Sequence, residues 1–333
     1  MTHEALWQEL AAAAPHGATG YLRRRIRPDL PFDLFIGIER PSNRRLLLLE
    51  AVESAVVGVD EPPMTRGVEL RLNPAAPGGR AALELRLIDP AYEEIFTVLT
   101  GDIVSAVAGA ATERDAVAAF VGRLRRWGRF LERGNPEGLG PEAQRGLYGE
   151  LWFIDHHLFP TLDGAAISAW TGPEATTQDF QFPGCAVEVK TTTAKLPQHL
   201  AIASERQLDD TGVAALFLVH LSLDSRQDGR RTLPALIDGL RATLAGRESS
   251  AFLLEERLLA AGYLDAHRHR YARTTYAVRT CQIYRVQEGF PRLVEDDLPA
   301  GVGNVRYSVA AAACTPFAVD IGQVLNIIRG GDG

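Results

Sequence analysis

The first third of the chain alternates between apolar and polar residues in several short segments. Residues 46–49 form an apolar run, and residues 68–72 and 83–87 place Val or Leu at every second position, with Glu or Arg between them. Successive side chains of a strand point to opposite faces, so a period of two is typical of half-buried strands. We therefore predict a β-rich N-terminal module over residues 1–110.

The next segment has the spacing of an amphipathic helix. Apolar residues recur every three or four positions between residues 112 and 133, which indicates one apolar face. The opposite face carries five arginines, namely Arg123, Arg125, Arg126, Arg129 and Arg133. Two interpretations stay open for them, a solvated face and a stripe that contacts phosphate groups. We assign residues 111–140 to a connecting helix and linker.

The second half of the chain mixes helical and strand-like patterns. A helical pattern at 142–158 precedes strand-like segments, and the apolar run at 213–221 suits a strand buried on both faces. Further helical patterns and a strand pattern at 274–286 follow. We predict an α/β (α+β) fold, in which residues 141–248 form a core with a mixed central sheet flanked by helices. Residues 249–333 form a C-terminal helical and strand extension.

The most informative pattern lies in residues 178–193. Pro183-Gly184 suits the central positions of a tight turn, because Pro fixes φ and Gly accepts a positive φ. Pairing outward from that turn places Asp179 opposite Glu188. A longer loop that shifts the pairing by one residue is the alternative, because two-residue hairpins prefer other turn types.

The two faces of this predicted hairpin differ in chemistry. One face carries Asp179, Glu188 and Lys190, and the other is apolar: Phe180, Phe182, Cys185, Val187 and Val189. Directly opposed residues have Cβ atoms about 4.5–5.5 Å apart, where like charges repel. A divalent cation would offset that repulsion, since hard cations prefer carboxylate oxygens. Two carboxylates and a lysine around one metal suit phosphodiester hydrolysis. A solvated face of alternating charge is the competing interpretation.

The helix at 142–158 contributes a third carboxylate. Glu150 falls at the edge of the apolar stripe of that helix. A carboxylate on the edge of a buried face is unusual unless it has a partner. Further along, His267 and His269 lie among arginines. They are either a phosphate-contacting patch or a solvated loop, and we favour the loop.

Composition narrows the class of protein. The chain has 333 residues with 46% hydrophobic and 23% charged residues, which is ordinary for a globular protein. A net charge of −7 argues against non-specific coating of nucleic acid but permits a local basic groove. Three isolated cysteines argue against a disulfide framework or a zinc site. We read no signal peptide and no membrane span, so we expect a cytoplasmic protein.

The order of these features resembles the PD-(D/E)XK nuclease superfamily, with its restriction-endonuclease-like fold. A helix with Glu150 is followed by Asp179 on one strand and by Glu188-Val189-Lys190 on the next. In more detail, residues 140–210 resemble the bacterial "PD-(D/E)XK motif protein" family through four segments: Gly146 to Leu151, Trp170 to Pro173, Asp179-Phe180 and Glu188 to Thr192. Gln178 stands where the superfamily name has proline.

The resemblance implies a role for each residue of the candidate site. Asp179 and Glu188 would be ligands of Mg²⁺, or of Mn²⁺, and Glu150 would be an accessory ligand or would orient Lys190. Lys190 would orient or activate the attacking water and stabilise the charged transition state. Gln207 would contribute to the site, as in some branches of the superfamily, or close a capping box with Ser204; we favour the capping box.

The function expected from the resemblance is Mg²⁺-dependent hydrolysis of DNA phosphodiester bonds. The resemblance also implies that the protein is a subunit of a bacterial multi-gene, restriction-like antiphage defence system. Protein partners from such a multi-gene system are therefore expected, and an ATPase partner and a homodimer stay open. The alternative is a scaffold subunit that binds nucleic acid or partners without cleaving. Asp179 and Glu188 favour the enzyme, because carboxylates repel phosphate and a mere binding protein would gain by losing them.

Overall fold

The chain folds into two compact units, Met1–Glu137 and Gly138–Gly333. The computed structural model describes residues 2–13, 19–59, 65–74, 79–133, 135–174, 176–227 and 229–330. The sequence pattern divides the chain into four segments instead. The predicted connecting helix packs within the first unit, and the predicted C-terminal extension lies in the same unit as the core.

The N-terminal unit is built on a five-stranded antiparallel sheet in the order β1-β2-β3-β5-β4. Its elements are α1 (His3–Ala13), β1 (Gly20–Ile26), β2 (Asp33–Arg40), β3 (Arg44–Ala51), α2 (Glu53–Val56), β4 (Val68–Asn73), β5 (Ala81–Leu87), α3 (Glu93–Ala108) and α4 (Glu113–Arg133). The segments 68–72 and 83–87, which alternate between apolar and polar residues, lie in β4 and β5. Trp7 of α1 packs against Phe96 of α3, with 5.6 Å between ring centroids. The predicted β-rich character of the N-terminal region is confirmed, and its boundary at residue 110 stays a prediction.

The arginine face of α4 is partly committed to contacts within its own unit. Arg123 Nε lies 3.3 Å from Asp102 Oδ2 of α3, and Trp127 Nε1 donates to the same oxygen at 2.7 Å. The side chains of Arg129 and Arg133 lie outside the described residues. Arg123 therefore forms an ion pair within its own unit. A role in contacting phosphate groups stays open only for the other arginines of this face.

The C-terminal unit contains the mixed sheet. Its elements are α5 (Pro141–Phe153), a π-helical turn (Ile154–Leu158), α6 (Phe159–Leu162), α7 (Ala165–Ala169), β6 (Phe180–Phe182), β7 (Cys185–Thr192), β8 (His199–Ile202), a 3₁₀ turn (Glu205–Leu208), β9 (Ala215–Gln227), α8 (Leu233–Thr243), α9 (Glu248–Ala260), α10 (Arg268–Tyr271), β10 (Thr274–Val286), β11 (Tyr307–Ala310), β12 (Ala318–Val319) and α11 (Ile321–Ile328). The helical pattern at 142–158 thus ends in a π-helical turn.

The sheet order is β12-β10-β9-β7-β6, with β7 and β9 parallel and the other neighbours antiparallel. Side chains of β7 and β9 enter a separate apolar cluster on each face. Val187 and Phe217 join α5, α8 and α9 on one face. Ala186 and Leu216 join β8 and β11 on the other. The predicted mixed sheet flanked by helices is confirmed. Burial of β9 on both faces explains the apolar run at 213–221, because such strands need apolar residues at nearly every position.

Two other sequence expectations can be compared with the fold. His267 is fully buried, so the predicted solvated loop is wrong there, while His269 is exposed. Gly138 has a φ of +83° and approaches the buried ring so closely that a Cβ would lie 2.8 Å from His267 Nδ1. None of the described helices is both long enough and apolar enough to cross a membrane.

Candidate active site

The hairpin of β6 and β7 has the register expected from its sequence. Phe182 pairs with Cys185 and Phe180 with Val187. Gly184 has a φ of +72°, the left-handed value that a type II turn requires after proline. The two-residue turn is therefore confirmed, and the longer loop is excluded.

Asp179 lies directly before β6 and next to the paired strand. Its Oδ2 accepts a hydrogen bond of 2.8 Å from Val189 N. Its carbonyl oxygen accepts hydrogen bonds from the backbone N–H groups of Thr171 at 2.8 Å and Gly172 at 2.9 Å. These three contacts fix both the backbone and the carboxylate of Asp179 beside β7.

Glu188 and Lys190 lie on the face of β7 opposite the apolar residues. Val187 and Val189 are buried in the cluster beneath α5, and alternation turns Glu188 and Lys190 the other way. Glu188 is only 1% exposed. Its Oε1 lies 2.6 Å from Lys190 Nζ. A carboxylate so deeply buried is rare unless a cation accompanies it.

Lys190 is held from a second side by Gln207. The Lys190 ammonium donates to Gln207 Oε1 at 3.0 Å, and the same oxygen accepts from Ala203 N at 2.8 Å. The predicted capping box is wrong, because Gln207 reaches Ala203 N and the Ser204 side chain makes no capping hydrogen bond. The local pattern Ser-x-x-Gln does not show that a lysine lies within reach.

Helix α5 approaches β7 closely enough to bring Glu150 to the site. A Cβ at Gly149 would lie 2.2 Å from Thr191 Cγ2, so only glycine permits this separation of helix and strand. Glu150 Oε2 accepts a 2.7 Å hydrogen bond from Trp170 Nε1. Trp170 is fully buried. Trp170 therefore fixes the position of a site carboxylate.

Gly172 marks the point where Asp179 and Glu150 converge. A Cβ there would lie 2.9 Å from Asp179 Oδ1 and 3.5 Å from Glu150 Oε2. The structure thus brings Glu150, Asp179, Glu188, Lys190 and Gln207 into one continuous set of contacts and electrostatic interactions.

The electrostatics of the site reflect three carboxylates in a small buried volume. Burial, together with the charge of Asp179, raises the pKa of Glu188 to about 8. Burial also raises the pKa of Asp179, against the opposing effect of Lys190. The pKa of Glu150 lies well above its ordinary value because of burial and the charge of Asp179. Burial lowers the pKa of Lys190, but the Glu188 and Asp179 charges outweigh this and leave it raised. The single positive charge of Lys190 does not offset the repulsion among three buried carboxylates, so the pKa values of these carboxyl groups stay raised.

The carboxylate oxygens fit a divalent cation. Glu188 is buried and neither of its oxygens makes a hydrogen bond of normal geometry within the described residues. Among those residues, no group of three or more His, Cys, Asp or Glu side chains is arranged to hold a metal by itself. Mg²⁺ is usually held by one or two carboxylates, with waters and substrate phosphate completing its shell. Asp179 and Glu188 would supply those carboxylates, and the assignment of Asp179, Glu188 and Glu150 as metal ligands stays a prediction.

Sequence reasoning missed one polar residue beside the site. His220 of β9 is the register partner of Lys190 and is fully buried. Burial lowers the pKa of His220, which favours the neutral imidazole. The residue is easily overlooked because it interrupts an otherwise apolar run in the sequence.

The mixed sheet, the hairpin carboxylates and the lysine two residues further on define a PD-(D/E)XK nuclease-like protein. Residues 3–312 match the model of a protein family described as "Putative PD-(D/E)XK family member, (DUF4420)". The match spans most of the chain, so the chain belongs to this family. No curated protein and no solved structure matches it.

Proposed function

We propose that this protein is a Mg²⁺-dependent deoxyribonuclease that hydrolyses phosphodiester bonds. The observation that carries the proposal is the buried Glu188 carboxylate, which opposes Asp179 and touches Lys190. Nothing in the hydrophobic core requires two carboxylates there, and their burial is unfavourable without a cation. The family is nuclease-like, and that membership supports the same chemistry.

Asp179 and Glu188 are the proposed metal ligands. A bound Mg²⁺ would polarise a phosphoryl oxygen and lower the pKa of a water molecule at neutral pH. Asp179 Oδ2 is oriented by Val189 N, which leaves Oδ1 beside Gly172. The two proposed ligand carboxylates thus come from opposite sides of one hairpin, Asp179 directly before β6 and Glu188 on β7.

Lys190 is the proposed cationic group of the reaction. A positioned ammonium can orient the attacking water and stabilise charge that develops on the phosphate. Gln207 Oε1 accepts from Lys190 Nζ at 3.0 Å and limits where the ammonium can lie. Glu188 and Asp179 raise the pKa of Lys190 most, and Glu150 adds a smaller effect in the same direction. We assign Gln207 and Glu150 positioning roles.

A cleft with both basic and acidic side chains lies beside the hairpin. Its volume is about 660 Å³, and its lining includes Gln178, Arg206, Asp209 and Glu295. Gln178 and Arg206 immediately precede Asp179 and Gln207 in the chain, so two lining residues of the cleft are direct neighbours of site residues. We propose DNA as the substrate and protein partners from a bacterial restriction-like defence system, among which an ATPase is one candidate.

Cleavage assays test the enzyme proposal directly. Wild type is incubated with duplex, single-stranded and modified DNA, and with RNA, in Mg²⁺ or Mn²⁺. We expect cleavage that EDTA and Glu188→Gln abolish. Glu248→Gln is the matched control, because Glu248 is an exposed residue in the first turn of α9. Absence of cleavage on every substrate, with candidate partners added, would favour the non-cleaving scaffold.

A further inference from the structure

A second cavity lies on the side of α5 that faces away from the carboxylates. It has a volume of about 450 Å³ and lies between α5, the π-helical turn, the start of α8 and β10. Tyr148 and Trp152 line it, and each is two residues from Glu150. Two residues correspond to about 200° around a helix. Helix α5 therefore turns Glu150 towards the candidate active site and Tyr148 and Trp152 towards this separate cavity.

Part of the cavity lining is a pair of stacked aromatic rings. The rings of Trp152 and His156 stack with 4.4 Å between centroids and an interplanar angle of 24°. His156 Nδ1 lies 3.2 Å from Trp152 O and 3.1 Å from Asp155 Oδ2, which holds the imidazole in place. His156 belongs to the π-helical turn, and such turns occur frequently at functional sites.

Another part of the cavity lining is cationic. Arg230 and Arg231 line it together with Thr232, the residue that caps α8. Within the described part of the chain, neither arginine forms an ion pair with an acidic side chain. Both arginines are exposed. The N–H of Ala235 already donates to Thr232 Oγ1, and Pro234 has no N–H. The guanidinium groups of the two arginines are therefore the main hydrogen-bond donors for an anion.

We propose that this cavity binds a nucleotide, with the base against the Trp152–His156 surface and the phosphate at Arg230 and Arg231. Stacking of a base on an aromatic side chain is favourable for any base. Arginine binds phosphate oxygens through two parallel hydrogen bonds. The cavity volume lies within the range of small-molecule sites, which is roughly 300–1,000 Å³. The nucleotide is either free or the 5′-phosphorylated end of a nucleic acid chain.

Isothermal titration calorimetry on the full chain tests this proposal. EDTA is present throughout, so the result does not depend on nuclease activity. The probes are AMP, inorganic phosphate, and short oligothymidylates with a 5′-phosphate or a 5′-hydroxyl end. We expect AMP or the 5′-phosphorylated oligonucleotide to bind at least about tenfold more tightly than inorganic phosphate, because they combine the phosphate contact with stacking of a base. Binding of AMP identifies a free nucleotide, and binding of the phosphorylated oligonucleotide alone identifies a chain end.

Two variants and one control locate the binding. Arg231→Ala and Trp152→Leu should each weaken binding by about tenfold, since each removes one of the two contacts. Arg226→Ala should leave binding unchanged, because Arg226 is an exposed arginine on β9 that pairs with Asp224. Arg231 is exposed, so its variant retains the fold. Failure of both AMP and the phosphorylated oligonucleotide to bind, or binding that both variants leave unchanged, would overturn the proposal.

Discussion

Replacing Glu188 by glutamine should make the metal-free protein more stable at alkaline pH. Burial and the charge of Asp179 raise the pKa of Glu188 from its ordinary value of 4.5 to about 8. The folded protein therefore binds this proton more tightly than the unfolded chain does. The stabilising effect of that proton is complete below about pH 4.5, and it is lost as the pH rises through about 8.

The size of the effect follows from the same pKa difference. Each pH unit corresponds to about 1.4 kcal/mol, so ionised Glu188 lowers the free energy of unfolding by about 5 kcal/mol above pH 8. Glutamine has nearly the same shape and no charge. The difference in unfolding free energy between Glu188→Gln and wild type should therefore grow between pH 5 and pH 8 and level off beyond it.

Urea unfolding in EDTA at several pH values measures this difference. Hydrogen exchange of peptides from β7 (Cys185–Thr192) reports on the C-terminal unit alone, which matters because a chain of two units need not unfold in one step. Mg²⁺ should make the wild type more stable than Glu188→Gln. The ion stabilises the folded protein by binding to it, and the variant has lost one of the two proposed ligands. A stability difference that does not change with pH would refute the assignment of Glu188 as a buried acid with a raised pKa.

Two further substitutions test the packing that brings Glu150 to the site. Gly149→Ala should lower the free energy of unfolding by about 1–3 kcal/mol in urea titrations, because its Cβ would meet Thr191 Cγ2 at 2.2 Å. Gly146→Ala in the same helix is the control. It should raise the free energy of unfolding by about 0.5–1 kcal/mol, since no atom lies within 4 Å of its Cβ. Equal effects of the two substitutions would contradict the close approach of α5 to β7 at Gly149. Trp170→Phe should cost about 1–3 kcal/mol by leaving Glu150 Oε2 without its donor, and an unchanged urea midpoint would show that this hydrogen bond is dispensable.

The parts of the site set by neighbouring residues were predictable from the sequence. The Pro183-Gly184 turn and strict alternation fix which residues share a face, so the pairing of Phe180 with Val187 followed without a structure. The same alternation placed Glu188 and Lys190 together. Period-two and helical patterns likewise predicted β10 at residues 274–286, as observed.

The parts set by tertiary packing were not predictable in the same way. Gln207 satisfies a local capping pattern, and only the fold shows that Lys190 lies within 3.0 Å of it. Trp170 precedes a Gly-Pro turn in the sequence, but its indole N–H reaches a glutamate twenty residues earlier. Buried His220 is hidden in an apolar run. In each case the deciding contact joins elements that are distant along the chain.

The central claim is that Lys190 acts with Asp179 and Glu188 in metal-dependent phosphodiester hydrolysis. The chain offers an unusually clean test, because Lys190 and Lys195 are its only two lysines. Lys195 is exposed, so Lys195→Ala controls for loss of lysine charge. In single-turnover cleavage of DNA with Mg²⁺, we expect Lys190→Ala to reduce the rate by at least about a hundredfold and Lys195→Ala to leave it unchanged. Equal rates for Lys190→Ala and wild type would contradict the account.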